Sequence, residues 1–387
     1  MISDFLRPVP KEIQNILKDS KEGFSPIDME FFDGSSLPEI EKDAVVIIGV
    51  EEDRGESVNI GSAAAPNQIR KAFYKLQNPF WALNLVDLGN IKAGESLRDT
   101  YTALAQCMEE CLKKQAIVVV LRGSHDLSYA QYLAYENLEQ AVNMAAVDRK
   151  VDLEKLDTEI DADSFLSHVI LRQPNYLFNY AHIGYQSYYV NPDVVNLMDK
   201  MNFDMLRVGL LKDKLSLVEP IFRDTDLLSF DMSAMRASEF NSSKLNGPNG
   251  FYADDICGLA RYAGISDKLS SVGFYEYNPE MDKSGLGAEL MGQMLWYFID
   301  GVNARMQDYP FTNKKEYIKY TVSSEEQDLI FYKSPKSARW WIEVPFPQTM
   351  GSKYARHALI PCAYEDYQEA LEGEVPERWW KAFYKLG

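Results

Sequence analysis

The chain is poor in the residues that most often announce chemistry. It carries four histidines and four cysteines in 387 residues, and no two cysteines form a CxxC pair. Cys107 and Cys111 fall one helical turn apart and are read as reduced thiols, small buried hydrophobes rather than a bridge. With that reading goes the expectation of a reducing, cytoplasmic home. No apolar run approaches the roughly 20 residues a membrane span needs, so no membrane insertion is expected. The first residues, MISDFLRPVPKEIQ, lack an apolar stretch after a basic start and do not read as a signal peptide. There is no strong basic run. Net charge is −18, from 40 basic against 58 acidic side chains. That balance disfavours nonspecific contact with nucleic acid or anionic membrane, and no nucleic-acid partner is expected. Phosphate-binding loops and dinucleotide-binding glycine fingerprints are missing too, as are internal repeats and low-complexity linkers.

What is present is a rhythm. Residues 1–43 are polar and mixed and are read as an N-terminal arm. From residue 44, short β-rich runs alternate with helical stretches. The runs are Val45–Val50, Leu85–Leu88, Ile117–Leu121, Val142–Val147, Tyr176–Ile183, Met205–Val208, Leu227–Phe230 and Leu269–Tyr275. Helical stretches include 67–75, 101–114 and 253–263, with Pro66 suited to a first helical turn. The run IVVVL at 117–121 is apolar on both faces, as a central parallel strand should be. Alternation of this kind predicts an α/β domain over 44–309, a mainly parallel sheet of about eight strands covered by helices. A long helix is expected from Leu286 to about Met306. The rhythm then breaks, and 315–345 reads as strands and turns. Residues 310–387 form a C-terminal extension with fifteen aromatics in 78 positions, against 12% over the chain. Aromatics at that density mean core or interface, so a protein partner docking through the extension is one expectation.

In a parallel sheet, functional residues gather at the carboxyl ends of strands. The third run ends in Arg122-Gly123-Ser124-His125-Asp126, the fourth in Asp148-Arg149-Lys150-Val151-Asp152. The seventh runs into Asp231-Met232-Ser233, and a later one ends in Glu276-Tyr277-Asn278-Pro279. Each piece alone has an ordinary reading, as a structural histidine, a cap or a solvated loop. Together, one histidine and three aspartates on one sheet edge would suit a hard divalent cation such as Mn²⁺. A triad from Ser124, His125 and Asp126 is excluded, because adjacent residues do not face one another as nucleophile, base and orienter. His168, His182 and His357 fit no motif and are read as core or surface residues.

These segments resemble the ureohydrolases, the family of arginase, agmatinase and formimidoylglutamase. The family shares GGDHS, DAHxD and SxDxDxxDP motifs and a later E-V-N-P-like stretch. The runs at Gly123–Asp126, Asp148–Asp152, Ser229–Ser233 and Glu276–Pro279 are similar to these. So are Gly49–Asn59, Ala65–Arg70, Val86–Gly89 and the glycine turn Gly247–Phe251. The resemblance covers about 44–306 and implies a three-layer α/β/α sandwich on a parallel eight-stranded sheet.

The departures carry as much information as the matches. In the family, six residues hold two Mn²⁺ ions, and paired ions acidify a water and clamp developing charge. By motif position His125, Asp148, Asp152 and Asp231 are retained, the set that surrounds one metal. The DAHxD histidine is Lys150, the second aspartate of SxDxD is Ser233, and the final Asp-Pro is Arg236-Ala237. The resemblance therefore implies at most one divalent metal, most readily Mn²⁺, with the second site lost. Three carboxylates, one divalent ion and one ammonium make a neutral set, so Lys150 is expected to point into the cluster as a fixed charge in place of the missing ion. Glu276 matches the family's substrate-facing carboxylate. The family's substrate-reading loop has no clear match in Asp157–Ile170.

Two functions follow. The favoured expectation is a catalytically impaired scaffold that kept the fold for binding. The alternative is a one-metal hydrolase of C–N bonds in linear amidines, with Glu276 binding a small cationic amidine and Lys150 orienting or deprotonating water.

Overall fold

Residues that alternate between two faces of a strand can feed two cores only if both faces are covered. In the computed structural model, Val45, Ile47, Ile117, Val119 and Leu121 enter one hydrophobic cluster. Val46, Ile48, Val118 and Val120 enter another. The structure describes residues 2–18, 26–79, 81–154, 159–310, 314–323, 327–345 and 356–386, and every count below is of these.

The strands in chain order are β1 (Leu6–Arg7), β2 (Glu30–Phe31), β3 (Val45–Val50), β4 (Leu85–Ile91), β5 (Ile117–Leu121), β6 (Val142–Val147), β7 (Leu177–Tyr185), β8 (Asp204–Arg207), β9 (Leu227–Asp231), β10 (Ser271–Tyr275), β11 (Ile318–Ser323), β12 (Asp328–Lys333), β13 (Trp340–Glu343) and β14 (Leu359–Cys362). The main sheet runs β1-β4-β3-β5-β10-β9-β6-β7-β8, with β2 also on β4. From β4 to β8 every pairing is parallel. The eight strands expected from the sequence are all there, and the arm adds β1 and β2 at the β4 edge, β1 antiparallel.

Helices cover both faces. Ala65–Phe73, Ala253–Gly264 and Leu286–Asn303 pack on one. Leu97–Lys113, Ser128–Asn137 and Phe165–Leu171 pack on the other. Leu97–Lys113 starts where Ser96 and Asp99 form a reciprocal capping box, which satisfies two orphan donors of the first turn. The result is a three-layer α/β/α sandwich. No described helix is long and apolar enough to cross a membrane.

The extension folds into an antiparallel sheet, β11-β12-β13-β14, followed by helices Tyr364–Leu371 and Glu377–Leu386. Its aromatics make its own core. Trp379, Trp340 and Phe331 are buried with Ile342 and Leu386. The extension is tied to the sheet's amino-terminal edge. Arg223, just before β9, donates to the carbonyls of Trp340 and Cys362, both at 2.9 Å. Arg356 reaches Asp226 at 2.8 Å, and Lys381 reaches Asp204 at 3.1 Å. All four cysteines are free and buried.

Candidate metal centre

The loop after β5 turns sharply so that one side chain of Ser124-His125-Asp126 faces the sheet edge. A side chain at Gly123 would collide with Ser62, and one at Gly55 with Asp126; both glycines let the loop after β3 pack against the end of β5. Asp126 turns away. Its carboxylate accepts from Ser124 Oγ and Tyr101 OH and lies 3.2 Å from Arg122. His125 is left alone on the other side, 1% exposed.

Three strand-end carboxylates meet it there. His125 Nδ1 lies 3.0 Å from Asp152 Oδ2, 3.3 Å from Asp231 Oδ2 and 3.7 Å from Asp148 Oδ2. One ligand atom each from His125, Asp148 and Asp152 falls within 4.8 Å of the others. Asp231 adjoins them, its Oδ1 accepting from the Ser233 amide at 2.6 Å. At the far side of the ring, Nε2 and Ser229 Oγ are 2.9 Å apart. When Nε2 carries the proton, Ser229 accepts it and Nδ1 presents a lone pair.

Several of these buried atoms lack partners. His125 Nδ1, Asp148 Oδ2 and Asp152 Oδ1 make no hydrogen bond. Leaving buried polar atoms unpaired is costly, and a nitrogen lone pair ringed by carboxylate oxygens is the donor set of a hard divalent cation. The residues present therefore fit a metal ion.

Without a cation the cluster holds protons. Burial would lower the proton affinity of His125, but the nearby Asp152 and Asp231 carboxylates outweigh it and raise it well above the usual imidazole range. Burial, with the charges of Asp231 and Asp152, lifts Asp148 well above the usual carboxylate range. Burial also opposes ionisation of Asp231, yet contact with His125 and Ser233 holds it below the ordinary value. These shifts are those of mutually repelling buried charges around one imidazole.

Lys150 sits at the border of the cluster, its side chain 25% exposed. Its ammonium pairs with Asp163 and lies 3.7 Å from Asp152 Oδ1. Burial lowers the proton affinity of this amine, but the charges of Asp152, Asp148 and Asp231 outweigh it, with Asp152 nearest. The expectation that it points among Asp148, Asp152 and Asp231 needs one amendment, the pairing with Asp163. That residue precedes the helix Phe165–Leu171, which folds back so that the Leu166 amide donates to the Asp152 carbonyl at 3.2 Å. Of the loop Asp157–Ile170, residues 157 and 158 lie outside the described residues. Ser233, where the family has a ligand, donates to Asp148 Oδ1 at 3.0 Å. Arg236 stacks over Tyr252 at 3.6 Å and donates to the Gly250 carbonyl.

Glu276 closes the floor, fully buried. Its Oε1 accepts from the His125 amide at 2.9 Å, its Oε2 from Asn59 Nδ2 at 2.8 Å. Its φ of +66° is uncommon for a residue with a side chain and costs on the order of 1–3 kcal/mol. Burial, Asp231 and Glu56 raise its proton affinity well above the usual range. One oxygen thus holds the His125 loop and the other the loop after β3, so Glu276 is first a positioning residue. His182 is a core residue, bonded to Tyr180 OH at 2.9 Å and the Asp148 carbonyl at 3.2 Å.

Residues 43–300 match the family model for the arginase family. The chain belongs to the arginase family. Among curated proteins it is similar to a formimidoylglutamase of Staphylococcus aureus (strain MSSA476), 25% identical over 285 residues, covering 70% of this chain and 89% of that one. Among solved structures it resembles Trypanosoma cruzi formiminoglutamase with Mn2+2, at a TM-score of 0.64 and 18% identity, over 70% of this chain and 97% of that one. It also resembles the formimidoylglutamase of Bacillus subtilis subsp. subtilis str. 168, at a TM-score of 0.63 and 16% identity, over 75% and 98%. At these identities the structures establish the arginase-type fold. The family match ends before β11, so the C-terminal sheet lies outside it.

Sequence reasoning did not assign Asp163, Asn59 or Ser229 to the site. Ser229 was within reach, since it stands two residues before Asp231 on β9 and shares its face. Asp163 gave no local signal, because its partner is brought to it by the fold.

Proposed function

We propose that the chain is a one-metal hydrolase of C–N bonds in linear amidines, of the formimidoylglutamase type, using Mn²⁺. The observation that carries this reading is the set of buried, unpartnered atoms of His125, Asp148 and Asp152, with Asp231 beside them. A site kept only as a scaffold has no reason to retain three convergent buried carboxylates, which cost stability. The names of the S. aureus and T. cruzi relatives support the hydrolase too, and nothing supports the impaired scaffold expected first. The four buried free thiols are consistent with a cytoplasmic home.

His125, Asp148, Asp152 and Asp231 would hold the ion, which supplies Lewis acidity in a water-poor site. Ser229 fixes the ring orientation that presents Nδ1. Glu276 holds the His125 loop through the backbone amide. Lys150, on Asp152 and Asp163, supplies a fixed positive charge beside the cluster.

The test is release of formamide from formimidoylglutamate by the Mn²⁺-loaded protein, with arginine and agmatine alongside. Release that stops on chelation and is lost in His125→Ala and Asp148→Asn is expected, at a rate below about 1 s⁻¹ because one ion replaces two. No metal-dependent release from any of the three, above the His125→Ala background, would remove the hydrolase reading. Elemental analysis should find one ion per chain in the parent and two in Lys150→His with Ser233→Asp. Two in the parent would defeat the one-metal claim.

A further inference from the structure

Past the ends of β7 and β8, the carboxyl edge of the sheet carries a second cavity, of about 420 Å³. That volume lies in the range of small-molecule sites. Two features of the sequence that the metal centre leaves unused meet in its walls. One is Arg236, where the family has an aspartate, and the other is Asn249-Gly250-Phe251 of the glycine turn.

The charged groups of the wall are three cations and one carboxylate, Arg207, Lys212, Arg236 and Asp255. Among the described residues none of the three cations has a carboxylate within 4.0 Å. Asp255 is committed to the first turn of the helix Ala253–Gly264, its Oδ2 accepting from the Tyr252 amide at 3.1 Å. Asp213 and Asp254, neighbours in sequence, are exposed and lie off the wall. The cavity therefore carries a surplus of two positive charges. The chain as a whole stands at −18, with 58 acidic side chains against 40 basic ones. Three cations around one cavity without an ion pair run against that background, and an anion entering there is held by local charge.

Arg236 is set in place. Its Nε and Nη2 donate to the Gly250 carbonyl at 3.3 and 3.0 Å, and its guanidinium lies 3.6 Å from the centre of the Tyr252 ring. A side chain at Gly250, with φ at +150°, would strike the Ala234 carbonyl, so glycine is what brings this acceptor to the guanidinium. Among the described residues nothing takes the Arg236 Nη1, which is not buried. Aromatic rings line the same cavity, Tyr188 at 64% exposure and Tyr252 at 40%. Tyr188 is fixed by a closed set of bonds. Its hydroxyl donates to Gln186 Oε1, Gln186 Nε2 donates to the Asn249 carbonyl at 3.1 Å, and Asn249 Nδ2 donates to the Tyr188 hydroxyl at 3.3 Å.

We propose that this cavity binds a small phosphate monoester that carries an aromatic ring, of the nucleoside monophosphate type. A monoester phosphate carries close to two negative charges near neutral pH, which matches the surplus on the wall, and its oxygens suit the guanidinium fork of Arg236. The ring lies against the exposed tyrosines, since planar rings stack on aromatic side chains. The site adjoins the metal centre through Gln186, whose amide donates to the Arg149 carbonyl at 2.8 Å, but it shares none of the candidate ligands and needs no metal.

Calorimetric titration of the full metal-free chain with adenosine monophosphate tests it, with ribose 5-phosphate, adenosine and formimidoylglutamate alongside. Saturable binding of the monophosphate is expected, tighter than of formimidoylglutamate and about fivefold or more tighter than of ribose 5-phosphate or adenosine, which lack the ring or the phosphate. Arg236→Met should weaken it about tenfold or more, the loss of a charge-assisted hydrogen bond. Lys212→Met, at an exposed position, should weaken it about threefold or more, which keeps the test alive if Arg236→Met fails to fold. Lys214→Met makes the same change of charge two residues on, off the wall, and should leave binding within about 1.5-fold. No saturable binding, binding unchanged in Arg236→Met, or equal loss in Lys212→Met and Lys214→Met would each overturn the proposal. So would ribose 5-phosphate or adenosine binding as tightly as the monophosphate. Tighter binding of formimidoylglutamate would overturn it too, and would give the cavity to the carboxylates of an amidine.

Discussion

His125 and Asp148 set how the candidate metal centre answers to pH. Both are shifted upward in the ion-free protein, so each tends to hold a proton that a metal must displace. A ligand must be deprotonated before it binds. Affinity for Mn²⁺ should therefore rise with pH, by about tenfold per unit for each proton released, until both groups are ionised. Titrations at pH 6, 7 and 8, each in two buffers of different ionisation enthalpy, give the affinity and the proton count together. Uptake that releases no protons would mean that these two groups are not ligands. The convergence of His125, Asp148, Asp152 and Asp231 was legible from the sequence because motif order fixes strand ends, and strand ends fix convergence. The environment of Lys150 was not. Its charge and place in DRKVD pointed to the cluster, but Asp163, thirteen residues on, takes the ammonium through a turn that the sequence does not announce.

At the scale of elements, parallel strands declared themselves where both faces are apolar. Val45–Val50, Ile117–Leu121 and Val142–Val147 have the bounds expected. β7 starts one residue later than expected and ends two later, at Tyr185. β1 and β2 gave no pattern, because two residues cannot show a period. The helix Glu377–Leu386 hid in an aromatic, charged tail. Trp379, Phe383 and Leu386 recur at helical spacing, and the Trp379 and Phe383 rings stack 5.1 Å apart. What joins the extension to the sheet is a single buried side chain more than any other. Arg223 is 5% exposed, caps two carbonyls of β13 and β14, and lies 4.7 Å from the Trp341 ring. Arg223→Met removes both bonds and leaves two buried acceptors unpaired, at a cost of about 2–4 kcal/mol. Equilibrium unfolding in urea should show that loss, and amide exchange should quicken first in β13 and β14. A loss under about 0.5 kcal/mol would mean that the joint is carried elsewhere.

At the scale of the whole molecule, the joints through Arg223, Arg356 and Lys381 predict that sheet and extension unfold together. The six tryptophans make this measurable. Trp340, Trp341, Trp379 and Trp380 belong to the extension, and Trp81 and Trp296 to the sheet domain. In Trp81→Phe with Trp296→Phe, fluorescence reports the extension alone, and its urea midpoint should coincide with that of far-UV circular dichroism. An earlier fluorescence transition would make the extension a separate folding unit. The strand order carries a different consequence, one of timing. His125 follows β5 and Asp148 follows β6, yet β10 and β9 lie between those strands. The gap that the two later strands fill is two strands wide, some 14 Å between β5 and β6. During synthesis, His125 and Asp148 leave the ribosome on strands that cannot yet stand at their final spacing. Of these strands β10 is made last, so a chain halted before residue 271 carries His125, Asp148, Asp152 and Asp231 but lacks the strand that joins β5 to β9 and sets their distance.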